Sequence, residues 1–106
     1  MPSIIVEFGK TVNRDIDISD IDYIEITVDQ GEVTVQLIEV SNSTIKASLQ
    51  NISAGQPQHL NIANLEKNNA KYQIKFIASQ RNNSKEATLS FQGRKNRMNC
   101  MNIPLA

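Results

Sequence analysis

The residues best suited to chemistry in this chain are four aspartates within eight positions, in Asp15-Ile16-Asp17-Ile18-Ser19-Asp20-Ile21-Asp22. Carboxylate oxygens in such a group suit a hard cation, Ca²⁺ above all. Strand alternation puts Asp15 and Asp17 on one face, with Asp20 and Asp22 flanking the turn that follows, so three or four carboxylates could converge. The same alternation also describes an acidic outer face beside a turn. The stretch has neither the glycine nor the closing glutamate of an EF-hand loop, so the acidic face is the preferred reading. Ca²⁺ held by Asp15, Asp17, Asp20 and Asp22 is the alternative, and no other cofactor is expected.

Other chemistry lacks members. His59 is the only histidine and Cys100 the only cysteine, too few for a zinc site, a Ser-His-Asp or Cys-His set, or an internal disulfide framework. No group that would activate a nucleophile neighbours the aspartates, so an acid/base pair is disfavoured and the chain is expected not to be an enzyme. Arg94-Lys95-Asn96-Arg97 forms a basic knob able to touch phosphates. With no Trp, 5% aromatic residues and zero net charge, it lacks the basic face and stacking rings of a nucleic-acid domain, and a solvated loop tip is preferred. Sequons at Asn42, Asn51 and Asn82 carry little information in a chain with 12 asparagines and 14 serines and threonines.

The elements that must position these residues read as strands. Apolar residues alternate with polar ones along nearly the whole chain, and no helical stripe is sustained. Inward lanes are expected at Ile4-Val6-Phe8, Val12-Ile16-Ile18, Ile24-Ile26-Val28, Val33-Val35-Leu37, Ile45-Ala47-Leu49, Leu60-Ile62, Tyr72-Ile74-Phe76-Ala78 and Ala87-Leu89-Phe91. Gly31 in Asp29-Gln30-Gly31-Glu32 supplies a left-handed position, so Tyr23 to Val40 reads as a β-hairpin. Gln80 to Ser84 reads as a second hairpin loop, Asn51 to Pro57 as a loop, Gly93 to Asn96 as a break, and Arg97 to Ile103 as a last edge strand limited by Pro104. Ile5, Ile38 and Ile77 fall on the outward faces of their strands, where they could meet a partner.

The zero net charge hides an order. Residues 1–40 hold nine acids and two bases, a net −7, while residues 41–106 hold two acids and nine bases, a net +7. On two different protomers, such regions could pair and orient an assembly.

With 106 residues, the chain has the length of one domain. No apolar run approaches the ~20 residues of a membrane span, and no basic leader precedes an apolar core at the start. Localisation stays open between the cytoplasm and an exported fragment lacking its signal peptide.

The stretch from Leu60 through Leu65 and Tyr72 to Ala78 resembles the E to F region of fibronectin type III domains: a strand ending in Leu, a polar turn, then a Tyr opening an alternating strand. That resemblance implies an immunoglobulin-like or fibronectin type III-like β-sandwich with Tyr72 as the tyrosine corner. The turn Lys67-Asn68-Asn69 and the missing Trp depart from the family. The sequence therefore predicts one all-β domain over residues 1–106, an antiparallel sandwich of seven to nine short strands. Its expected work is non-catalytic protein-protein interaction or structural spacing through a sheet face or edge strand, with a protein partner or second copy. Candidate contact residues are Ile5, Ile38, Ile77, Arg94, Lys95 and Arg97.

Overall fold

The computed structural model describes residues 3–65, 71–79 and 86–95. They form eight strands: β1 (Ile4–Glu7), β2 (Thr11–Ile16), β3 (Tyr23–Gln30), β4 (Glu32–Glu39), β5 (Thr44–Ser53), β6 (Gln58–Asn61), β7 (Tyr72–Ser79) and β8 (Glu86–Arg94). The described residues form no helix, and hence none long and apolar enough to cross a membrane.

One rule governs the pairing. β4 pairs with β5, β3 with β6, β2 with β7 and β1 with β8, always antiparallel. The chain is thus a long two-armed ribbon, β1 to β4 returning as β5 to β8. It is rolled so that successive rungs fall in alternate sheets, and the rungs are joined by β3 against β8 and β4 against β7. Two four-stranded antiparallel sheets result, ordered β1-β8-β3-β6 and β2-β7-β4-β5.

Alternation explains the shared core. On β3, β4 and β7 every second residue is buried: Ile24, Ile26 and Val28; Val33, Val35 and Leu37; Tyr72, Ile74, Phe76 and Ala78. With Val6, Ala87 and Leu89 they belong to one apolar cluster drawing on both sheets, and the Phe76 and Phe91 rings, one from each sheet, meet at 5.3 Å between centroids. Each Val, Ile, Leu or Phe side chain among them taken from water contributes about 1.5–3 kcal/mol before chain entropy is counted. No polar or charged residue is buried among the described residues, so the polar chemistry lies on the outside.

Several expectations are corrected. Tyr23 to Val40 is not a hairpin, because β3 and β4 lie in different sheets. Gly31 does adopt a left-handed φ of 81°, but it turns the chain from one sheet to the other. A Cβ there would stand 3.0 Å from Ala87 Cα and Cβ, so the corner passes hard against β8. The strands flanking Gln80 to Ser84 also lie in different sheets, so no hairpin joins them; that loop lies outside the described residues, as does the expected strand Arg97 to Ile103. β5 runs on through Ser53 and β8 through Arg94, past the breaks expected at Asn51 and Gly93. Ile45 leaves its inward lane: the register slips between Leu37 and Ile38, setting Ile38 opposite Ile45, and Ile45 is 52% exposed. Leu65 is half-buried against the core and Tyr72 is buried within it; the turn between them is outside the described residues.

Candidate interaction surface

Because Ile24 and Ile26 face the core, Tyr23 and Glu25 must face outward from β3. The ladders then place Arg94 and Asn61 on either side of Tyr23, and Gln92 and His59 on either side of Glu25. In this cluster Arg94 Nη2 donates to Glu25 Oε1 at 3.1 Å. His59 Nε2 lies 3.6 Å from Glu25 Oε2, and the Tyr23 and His59 rings approach to 4.6 Å, tilted by 35°. The His59 side chain is 55% exposed and that of Arg94 44%. Opposite residues on one face of neighbouring strands interact in this way by geometry alone.

The backbone beneath is pinned. Asp22 N–H donates to the Arg94 carbonyl at 2.7 Å, and Ile62 N–H to the Asp22 carbonyl at 2.9 Å, tying β8 and the exit of β6 to the entry of β3. Gly93 admits Ile21 at this end, since a Cβ on it would stand 2.8 Å from Ile21 Cγ2. A shallow cleft of ≈ 340 Å³ opens beside the cluster, lined by Asp22, Tyr23, His59, Asn61 and Ala63.

The sequence-derived site residues are placed elsewhere or apart. Asp15 lies at the end of β2, where its Oδ1 accepts from Gln73 Nε2 at 3.0 Å. Asp17 Oδ1 accepts from the Ser19 N–H at 2.9 Å. The Ser19 hydroxyl and then this amide hold its carboxyl below the usual value of 3.8. Asp15 and Asp17 line a larger open cleft of ≈ 610 Å³ with Val40, Lys71 and Gln73. Asp22 lines the other cleft, and no group of three or more metal-ligating residues forms among the described residues. Ile5, 57% exposed, lies on β1 in one sheet, while Ile38 and Ile77 are half-buried in the other. Arg94 joins the cluster, Lys95 is exposed beyond it, and Arg97 and Cys100 lie outside the described residues.

In the sequence His59 stands only as a lone histidine, and Tyr23 and Glu25 only as the alternates of the inward Ile24 and Ile26. The available signal was their shared period of two. Their meeting with Arg94 depends on pairing between residues up to 71 positions apart, Tyr23 and Arg94.

The charge order resolves in the same geometry. Each of the six ladders joins a strand of the first arm to one of the second, so acidic segments lie beside basic ones within one molecule. Glu25 with Arg94 and His59, and Glu39 with Lys46 at 3.5 Å, run from arm to arm. Comparison with protein-family models and with curated proteins finds no match for this chain.

Proposed function

We propose that the chain is a non-catalytic interaction module, a β-sandwich that meets a protein partner with the outer face of β1-β8-β3-β6. Within the sandwich class the strand order favours a jelly roll. The immunoglobulin arrangement sets the first strand in the sheet A-B-E-D, whereas here the first strand lies beside the last. A ribbon folded into two interleaved sheets of four is the eight-stranded double Greek key of jelly rolls.

The observation that carries the functional reading is the Tyr23–Glu25–His59–Arg94 cluster. Tyr and Arg are the residue types that most often dominate binding energy at protein interfaces. Here Tyr23 is half-buried and Arg94 exposed, both are held by neighbours on rigid strands, and a shallow cleft borders them. Strands fix such groups more closely than loops do, which reduces the ordering cost of association. Cross-arm pairing of charge supports contact at this patch over contact between an acidic half and a basic half.

The test is photo-crosslinking in the source cell, with a photoreactive residue replacing Gln92 beside the cluster or Gln36 on the opposite outer face. The reading expects a discrete adduct from position 92 that disappears when Tyr23→Ala and Arg94→Ala are added, and none from position 36. Adducts from position 36 alone would overturn it, as would adducts at 92 indifferent to the two substitutions.

A further inference from the structure

Among the described residues each sheet has two edge strands with one unpaired side, and they are unequal. β1 and β6 are four residues long. β5 has ten residues but is interrupted by two register shifts against β4, with a left-handed Asn51 at φ 58°. Shortness and irregularity are the ordinary means of keeping an edge from templating another strand. β2 has neither protection. Its six residues run against β7 from Thr11↔Ile77 to Ile16↔Tyr72 without a shift.

What β2 has instead is Arg14. Val12, Arg14 and Ile16 stand opposite Phe76, Ile74 and Tyr72, which are buried, and opposite residues share a face. Arg14 therefore occupies, between Val12 and Ile16, an otherwise apolar core-facing lane of the edge strand, at an exposed position. Its Nη1 donates to the Asn13 carbonyl at 3.2 Å, occupying a backbone acceptor of the edge strand itself.

We infer that the edge of β2 opposite β7, unpaired among the described residues, is a latent pairing edge for a second copy of this chain, held open by Arg14. A two-fold antiparallel pairing that continues the sheet must set core-facing residues against core-facing residues. Two registers then pair five residues of each strand. Centred on position 14, Val12 meets Ile16 of the copy on both sides, an apolar match, but Arg14 meets Arg14 directly. Centred on position 13, each Arg14 lies against Val12 of the copy and desolvates a guanidinium with no partner. Centred on position 15, Asp15 meets Asp15 and the overlap shortens. One side chain spoils both long registers. Without it, positions 12, 14 and 16 of the two copies would form one continuous apolar lane.

The test is sedimentation of the full chain as wild type, Arg14→Val and Arg14→Glu, with amide hydrogen exchange on each. Wild type and Arg14→Glu should resist pairing through β2, because like charges still meet at position 14. Arg14→Val should self-associate at least about tenfold more strongly, through relief at the central pair and the lane beside it, with new amide protection confined to residues 11–16. An equimolar mixture of wild type and Arg14→Glu should form a mixed dimer, since opposite charges then face each other. This mixture keeps the inference falsifiable if the valine variant misfolds. Folded Arg14→Val that associates no more than wild type would overturn it, as would protection gained at β1, β5 or β6 instead, or a mixture no more associated than its components. These outcomes leave the patch on the other sheet untouched, so this inference and the proposed function fail separately.

Discussion

The outer faces of the two sheets share one construction and differ in what they display. Both are the off-core residues of alternating strands above the same apolar cluster. Across β2-β7-β4-β5 the rows read Thr11–Ile77–Thr34, Asn13–Lys75–Gln36–Ser48 and Asp15–Gln73–Ile38–Ile45. These are mostly amides, hydroxyls and half-covered isoleucines, linked by exposed contacts such as Asn13 Nδ2 donating to Gln73 Oε1 at 3.5 Å. Across β1-β8-β3-β6 the rows Arg94–Tyr23–Asn61 and Gln92–Glu25–His59 bring an ion pair and two rings together. Alternation decides only that a residue faces outward; register decides whether outward residues become a patch.

The hardest way to break this contrast is to remove the core beneath both faces. Phe76→Ala is expected to cost about 3–5 kcal/mol in denaturant unfolding, and circular dichroism together with hydrogen exchange should show both sheets lost in one transition. Protection surviving in one sheet alone would mean that the faces rest on separate cores.

A smaller effect separates the faces directly. Glu25→Gln should cost about 0.2–1 kcal/mol, as expected of partly exposed ion pairs, and the loss should shrink in ~1 M salt, where screening acts over about 3 Å. Gln36→Ala on the other face should stay within about 0.5 kcal/mol and show no salt dependence. Equal salt dependence in the two variants would erase the electrostatic distinction.

The smallest effect concerns pH and belongs to neither face. The folded-state pKa of Asp17 is depressed, chiefly by the Ser19 hydroxyl. The unfolded chain therefore binds a proton at this position more readily. The resulting stability is present above the ordinary value of 3.8 and is lost as pH falls through the depressed value. Ser19→Ala should raise the Asp17 titration midpoint toward 3.8 in an NMR titration. The variant should converge in stability with wild type in acid, and an unmoved midpoint would remove the hydroxyl as the cause.

Which of these features could be read from the order of residues follows from the same distinction. The lane Tyr72-Ile74-Phe76-Ala78 is legible because a period of two reports burial directly, and all four are buried. Gly31 reads as a hairpin turn in the sequence because a left-handed glycine serves a tight turn within a sheet and a corner between sheets equally well. The close passage over Ala87 that distinguishes them involves a residue 56 positions away. Ile45 followed its period until a register shift turned it outward. Glu25 is legible as outward-facing and Arg94 as basic, but neither carries information about the other until β3 and β8 are aligned.

The rolled ribbon also dictates an order of assembly. β4 and β5 are separated by only residues 40–43, whereas β1 and β8 enclose nearly the whole described chain. Loop-closure entropy rises with the length closed, so the innermost rung is the cheapest to form and each outer rung shortens the gap left for the next. Folding is expected to zip outward from the β4–β5 tip, at the slow rates of high-contact-order β proteins. Substitutions near that tip would then slow folding, while those in β1 would chiefly hasten unfolding.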